Sequence, residues 1–140
     1  MRNQLILDTG ALIAFLMPKD KFHPWAVAQL TQTNPPLITS EAVITEACFL
    51  AQRVSKGQET ILKLIQQKYI IISFNLNQEI EAIERLMKCY VSVPMSLADA
   101  CLVRMSEIYD DSPIITLDSD FHIYRKHHNQ TIPLIIPNYA

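Results

Sequence analysis

Glycine is almost missing from this chain: only Gly10 and Gly57 occur in 140 residues. A hairpin-rich all-β fold needs many tight turns of the kind glycine supplies, so this scarcity argues against one. It also excludes glycine-rich phosphate loops, since neither a GxGxxG pattern nor a Walker-type loop is present. Cysteine is sparse as well. Cys48, Cys89 and Cys101 are an odd count with no CxxC spacing, which points to reduced thiols in a cytoplasmic protein and excludes a zinc knuckle. The four histidines show no HxxxH-type ligand spacing. No apolar stretch approaches the ~20 residues a membrane span requires. Asp8 breaks the one apolar run that follows a basic residue, Arg2, so a secretory signal is not expected. An excess of positive charge is lacking too. At a net charge of -2, a protein that handles nucleic acid must use a local basic patch or a bound cation.

What is present describes a compact globular chain. Hydrophobic residues make up 49% and charged residues 19%, and the length suits a single domain over residues 1–140. Leu5 to Asp8 reads as a first strand, and Thr9 to Met17 as a helix that Pro18 helps to stop. Phe22 to Thr31 follows as a helix with Pro24 in its first turn and Trp25 on its apolar side. Leu37 to Thr39 is a short second strand. Ser40 caps a helix to about Val54 with Val43, Ala47, Leu50 and Val54 along one stripe. Gly57 is expected to end that helix, and Gln58 to Lys68 forms the next. Tyr69 to Ser73 is a third strand rich in β-branched residues. Asn77 is expected to cap a helix over Gln78 to Tyr90, and Ser96 starts another to about Ile108. Pro113 to Leu117 is strand four, Phe121 to His127 a short helix, and Ile132 to Ile136 a fifth strand. Strands alternating with helices imply an α/β fold: a mostly parallel sheet with helices on both faces. In such sheets, sites form beyond the carboxyl ends of the strands, at a switch point in strand order. The basic run Arg125-Lys126-His127-His128 reads as solvated surface.

Five acids stand out by position: Asp8, Glu46, Asp99, Asp118 and Asp120. Four of them have a structural reading. Asp8 can cap the helix that begins at Thr9. Asp99 completes a capping box with Ser96. Asp118 and Asp120 can cap or turn the chain after strand four. Glu46 has no such role, because it lies inside a helix at the edge of an apolar stripe. Gathered in one place, these carboxylates would repel one another and raise some of their pKa values. A divalent cation removes that conflict. Hard oxygen ligands without His or Cys favour Mg²⁺ or Mn²⁺ over zinc, and an ion so held suits phosphoryl chemistry.

Asp8-Thr9-Gly10 after a strand, Glu46 in a helix, Pro94-x-Ser96-x-x-Asp99-Ala100, and Thr116-x-Asp118-x-Asp120-Phe121 come in that order. This order and spacing resemble the PIN-domain ribonucleases, most of all the VapC-type toxins of prokaryotic toxin–antitoxin pairs. The resemblance spans essentially the whole chain. It implies a three-layer α/β/α sandwich around a five-stranded sheet. It also implies Mg²⁺- or Mn²⁺-dependent endonucleolytic cleavage of RNA to 5′-phosphate and 3′-hydroxyl ends, a homodimer and an antitoxin partner. Carried over by motif, Asp8 and Asp99 are the main metal ligands, Glu46 completes the pocket and Asp118 is the fourth acid, with Asp120 as the alternative. Thr9 and Thr116 would orient the carboxylates. RNA-binding candidates are Lys19, Lys21, Arg53, Lys56, Arg104 and Arg125.

Two other α/β readings fit less well. A haloacid-dehalogenase-type phosphatase needs an acid two residues after its nucleophile, where this chain has Gly10. A receiver domain needs an aspartate after a middle strand, where this chain has Ser73-Phe74-Asn75. Two different functional classes stay open on the residues alone: a non-catalytic dimerisation or binding module in which the acids are caps, and a housekeeping RNA-processing nuclease without an antitoxin.

Overall fold

The computed structural model describes residues 4–138; Arg2, which precedes the first apolar run, lies outside them. The chain order is β1 (Ile6–Leu7), α1 (Thr9–Leu16), α2 (His23–Thr31), β2 (Leu37–Thr39), α3 (Glu41–Leu50), α4 (Gly57–Gln66), β3 (Ile70–Ile72), α5 (Leu76–Cys89) and α6 (Leu97–Ile108). Then come β4 (Ile114–Ile115), β5 (Arg125–Lys126), β6 (Gln130–Thr131) and β7 (Leu134–Ile135). Five strands form one parallel sheet in the order β3-β2-β1-β4-β7. The expected three-layer α/β/α sandwich is therefore what forms.

Alternation along the strands builds the two interior layers, because successive side chains leave a strand on opposite faces. Ile6, Ile38 and Ile114 point to one side, where Ile83 of α5 and Leu102 and Met105 of α6 cover them. Leu5, Leu7, Leu37 and Ile115 point to the other, against Leu12 of α1, Leu30 of α2 and Ile61 of α4. α3 serves both layers, with Val43 on one side and Ile44 and Ala47 on the other. Trp25, expected on the apolar side of its helix, packs half-buried against the second layer.

The chain winds outward from β1 in both directions, to β2 and β3 on one side and to β4 and β7 on the other. β1 and β4 are thus the pair that flanks the switch in strand order. Their carboxyl ends run into Asp8 and into Thr116-Leu117-Asp118.

Five local expectations differ from the structure. Asn75, not Asn77, caps α5: its side chain accepts a hydrogen bond from the Gln78 amide at 3.1 Å, so the helix starts two residues earlier than expected. The helix from Ser40 ends at Leu50 and tightens into a 3-10 turn over Ala51–Arg53. Gly57 opens α4 instead of closing α3. Lys56 takes the left-handed conformation at the junction (φ 59°), and a Cβ on Gly57 would stand 2.5 Å from the Ala51 carbonyl oxygen. The expected helix over Phe121 to His127 does not form. A 3-10 turn over Ser119–His122 buries Phe121, after which β5 and β6 pair as an antiparallel hairpin. His127 and His128 both have positive φ, which no α-helix tolerates. The run 125–128 is also not plain solvated surface. Lys126 is 6% exposed, and its ammonium donates to the carboxylate and backbone carbonyl of Asp110.

Candidate functional site

Asp8 is fixed from both sides. It follows β1 in extended conformation and caps α1, its Oδ1 accepting from the Thr9 amide at 2.7 Å. Its Oδ2 accepts from the Thr116 hydroxyl at 2.6 Å. That hydroxyl also accepts from the Asp118 amide at 2.9 Å, so one threonine at the end of β4 ties the β1 carboxylate to the turn carrying the next acid. Thr9 contributes through its amide, whereas its hydroxyl is buried with no hydrogen-bond partner among the described residues.

Asp99 enters from the third residue of α6. Its Oδ2 accepts from the Ser96 amide at 3.1 Å while Ser96 Oγ accepts from the Asp99 amide at 3.0 Å, closing the capping box. Asp118 accepts from the Asp120 amide and caps the 3-10 turn. Glu46 projects from α3, is exposed, and accepts no hydrogen bond from any described residue.

These elements place Asp8, Glu46, Asp99 and Asp118 on one cleft of about 370 Å³, together with Thr9, Gly10 and Leu117. The capping reading and the site reading hold at once. Asp99 and Asp118 use one carboxylate oxygen each to organise the helix or turn that carries them. Asp120 does not line the cleft; its amide serves to hold Asp118. Of the six candidate RNA-binding cations, none lines this cleft.

The electrostatics follow from burial and crowding. Asp8 is 8% exposed. Burial lifts its pKa from near 3.8 to about 6 against the opposing hydrogen bonds from Thr116 and Thr9, and the charges of Asp99 and Asp118 push it the same way as burial. Asp99 is also raised, by burial first, with the charges of Asp118 and Glu46 adding to it and the Ser96 hydrogen bonds opposing. Sequence reasoning missed Tyr124, which lies in the field of Asp99, Asp120 and Asp118. Burial, then those charges, push its phenol well above the usual range. Its hydroxyl donates to the Pro94 carbonyl at 2.8 Å, pinning the segment ahead of α6. Its sequence position gives no signal of this, since the contact spans 30 residues.

Every side-chain charge on the cleft is negative. The donors are hard oxygens, the type that suits Mg²⁺ or Mn²⁺. Among the described residues, no group of three His, Cys, Asp or Glu side chains is drawn together tightly enough to hold a metal ion as it stands. The donor set therefore fits such an ion in the chemistry of its oxygens and not in their spacing.

No curated protein matches the chain. Among solved structures, the Mycobacterium tuberculosis toxin VapC20, described as cleaving the sarcin–ricin loop, superposes with a TM-score of 0.74 at 17% identity, covering 94% of this chain and 99% of that one. At that identity the likeness speaks for the fold alone. The PIN domain family model matches residues 5–126, a span running from β1 through β5 and containing all four cleft acids. On that match, the chain belongs to the PIN-domain family.

Proposed function

We propose that this protein is a Mg²⁺- or Mn²⁺-dependent endoribonuclease that hydrolyses RNA to 5′-phosphate and 3′-hydroxyl ends. The observation that carries the reading is the convergence of four carboxylates from four separate elements on one cleft. There, burial first and the charges of Asp99 and Asp118 after it raise the Asp8 pKa to about 6. A cap needs only one acid per helix, so capping accounts for each acid singly and not for their gathering on one cleft.

Asp8 and Asp99 would hold the ion, Asp118 would complete the acidic set and Glu46, free of hydrogen bonds, would orient the attacking water. The bound ion supplies a Lewis acid that lowers the pKa of water and offsets charge on the phosphate. Thr116 keeps the Asp8 carboxylate aimed while bridging to the Asp118 amide, the supporting role that such sites require. Leu117 and Gly10 form the apolar part of the wall.

Within this reading the protein is a toxin, a cytoplasmic homodimer paired with an antitoxin protein; VapC20, which shares the fold, is itself described as a toxin. Exposed apolar residues on α5 and α6, Leu76, Ile80 and Leu97, offer surface for a second copy. A housekeeping RNA-processing nuclease would share the chemistry and lack the antitoxin. The contrasting reading, a binding module without catalysis, draws on the caps made by Asp8, Asp99 and Asp118.

RNA cleavage by wild type, Asp8→Asn and Asp99→Asn, with Mn²⁺ and with EDTA, decides between them. Wild type should cut only with the ion, and both variants should lose the activity while keeping wild-type circular dichroism. Cleavage retained in Asp8→Asn, or undiminished in EDTA, would defeat the nuclease reading.

A further inference from the structure

A second concavity, of about 240 Å³, lies between α5, α6 and the β5–β6 hairpin, and its charge is opposite to that of the acidic cleft. We propose that it is a phosphate-binding subsite that grips the RNA backbone away from the cutting centre; the proposal rests on the nuclease reading above.

Three arginines and two histidines face one glutamate across this space. Glu107 is fully engaged. One carboxylate oxygen accepts from Arg104 Nη1 at 3.0 Å and the other from the His127 amide at 2.7 Å. Arg104 is likewise committed, since its Nε donates to Glu79 at 2.7 Å. Two guanidinium groups remain without a carboxylate. The Arg85 side chain, on α5, makes no hydrogen bond or ion pair with any described residue. Arg125, on the hairpin, donates through Nη1 to the carbonyls of His122, Ile123 and Tyr124. Those carbonyls fix its plane and leave its charge unpaired. Fixed guanidinium groups recognise phosphate oxygens by charge-assisted, often bidentate hydrogen bonds.

The hairpin is held in place against its own preference. His127 and His128 adopt φ values of 49° and 71°, a region where glycine is favoured and bulky side chains are strained. Glu107 at the His127 amide, and Asp110 at His127 Nε2 and Lys126 Nζ, strap the hairpin to α6 and its C-terminal turn. The result is two imidazoles at the rim of a basic cavity, where a glycine-tipped hairpin would present none.

Position favours RNA over a free anion. The acidic cleft repels a polyanion, and a chain of net charge -2 needs cations somewhere along the path of the strand. Tyr90 lines the basic cavity, and its ring meets that of Tyr124 edge-on at 5.1 Å. Tyr124 in turn lies in the field of Asp99. Along α6, Asp99 and Arg104 differ by about 7.5 Å of rise, within reach of a short oligonucleotide.

Cys89 allows a test that does not read cleavage. It is exposed and lines the cavity, whereas Cys48 is half-buried and Cys101 buried. In a Cys48→Ala background, in EDTA, the rate of Cys89 modification by a maleimide is measured with a single-stranded RNA 12-mer, with inorganic phosphate, or with polyglutamate. RNA should slow the reaction several-fold, and polyglutamate should not. Arg85→Glu should remove the protection, weaken RNA binding by about tenfold and lower its salt dependence by about one unit of slope. No protection by RNA, or unchanged RNA binding by Arg85→Glu, would overturn the proposal. Equal protection by inorganic phosphate at matched phosphate concentration would replace it with a free-anion site, and equal protection by polyglutamate with a site for acidic protein. Cleavage by the same protein in Mn²⁺, with and without Asp8→Asn, reads the nuclease reading separately, so that either can fail alone.

Discussion

A carboxylate whose pKa is raised in the folded protein makes stability depend on pH in a defined sense. Asp8 has an ordinary value near 3.8 and about 6 when folded. Below pH 3.8 it is protonated in both states and carries no penalty. Between pH 3.8 and 6 the unfolded chain gives up this proton while the folded protein keeps it, so stability falls across that window and levels off above pH 6, where the folded protein too must ionise the buried acid. The two-unit difference corresponds to about 3 kcal/mol at pH 8. Asp8→Asn should therefore raise the melting temperature of the metal-free protein at pH 8, with the gain vanishing at pH 4. Thermal unfolding across that range checks it, and a gain independent of pH would mean that Asp8 is not the group responsible. Thr116→Val should act in the opposite direction. It removes the buried hydroxyl shared by Asp8 and the Asp118 amide, so a loss of about 1–3 kcal/mol is expected in urea unfolding at pH 7. Residue by residue, the acids were legible in the sequence, because an Asp directly after an apolar strand is conspicuous. Their mutual arrangement was not: the Asp8–Thr116 hydrogen bond joins positions 108 apart, and no local pattern encodes a contact of that span.

Helices and turns are legible in the sequence where their signals are local. Ser40 and Ser96 cap α3 and α6 as their side chains demand. The misread elements have a shared cause, since each was decided by packing. Asn75 and Asn77 are equally good caps by chemistry, and the end of β3 at Ile72 leaves Asn75 in the extended conformation a cap needs. Gly57 looked like a helix terminator, but the close approach of the Ala51 carbonyl is what requires it. Gly57→Ala should accordingly destabilise the α3–α4 junction by about 1–3 kcal/mol. Denaturant unfolding would show this as a lower midpoint at constant slope, while helix propensity alone would forecast a gain. The segment 121–127 carries apolar spacing compatible with a helix, yet Phe121 and Tyr124 both have to reach the core. Their edge-on contact at 5.4 Å, with the pairing of β5 to β6, turns it into a hairpin.

At the scale of the molecule, an acidic cleft and a separate basic cavity carry opposite charge. If the cleft holds a divalent ion, Mn²⁺ should stabilise the wild type by mass action, by about 2.7 kcal/mol at a hundredfold excess over its dissociation constant. Asp99→Asn should abolish that shift. Thermal unfolding in EDTA and in Mn²⁺ measures both, and an equal shift in the variant would remove Asp99 from the ion's site. Local patterns in the chain suffice for the alternation of strands and helices, a mostly parallel main sheet and the list of candidate acids. All of these depend on side-chain period, capping chemistry and short-range spacing. That Asp118 and not Asp120 lines the cleft, that Lys126 is buried, and that Arg85, Arg104 and Arg125 meet in one cavity follow from the folded arrangement alone. Those outcomes depend on which elements the sheet order brings side by side. That order is chosen by the burial of whole faces, a sum over the chain that no short stretch contains.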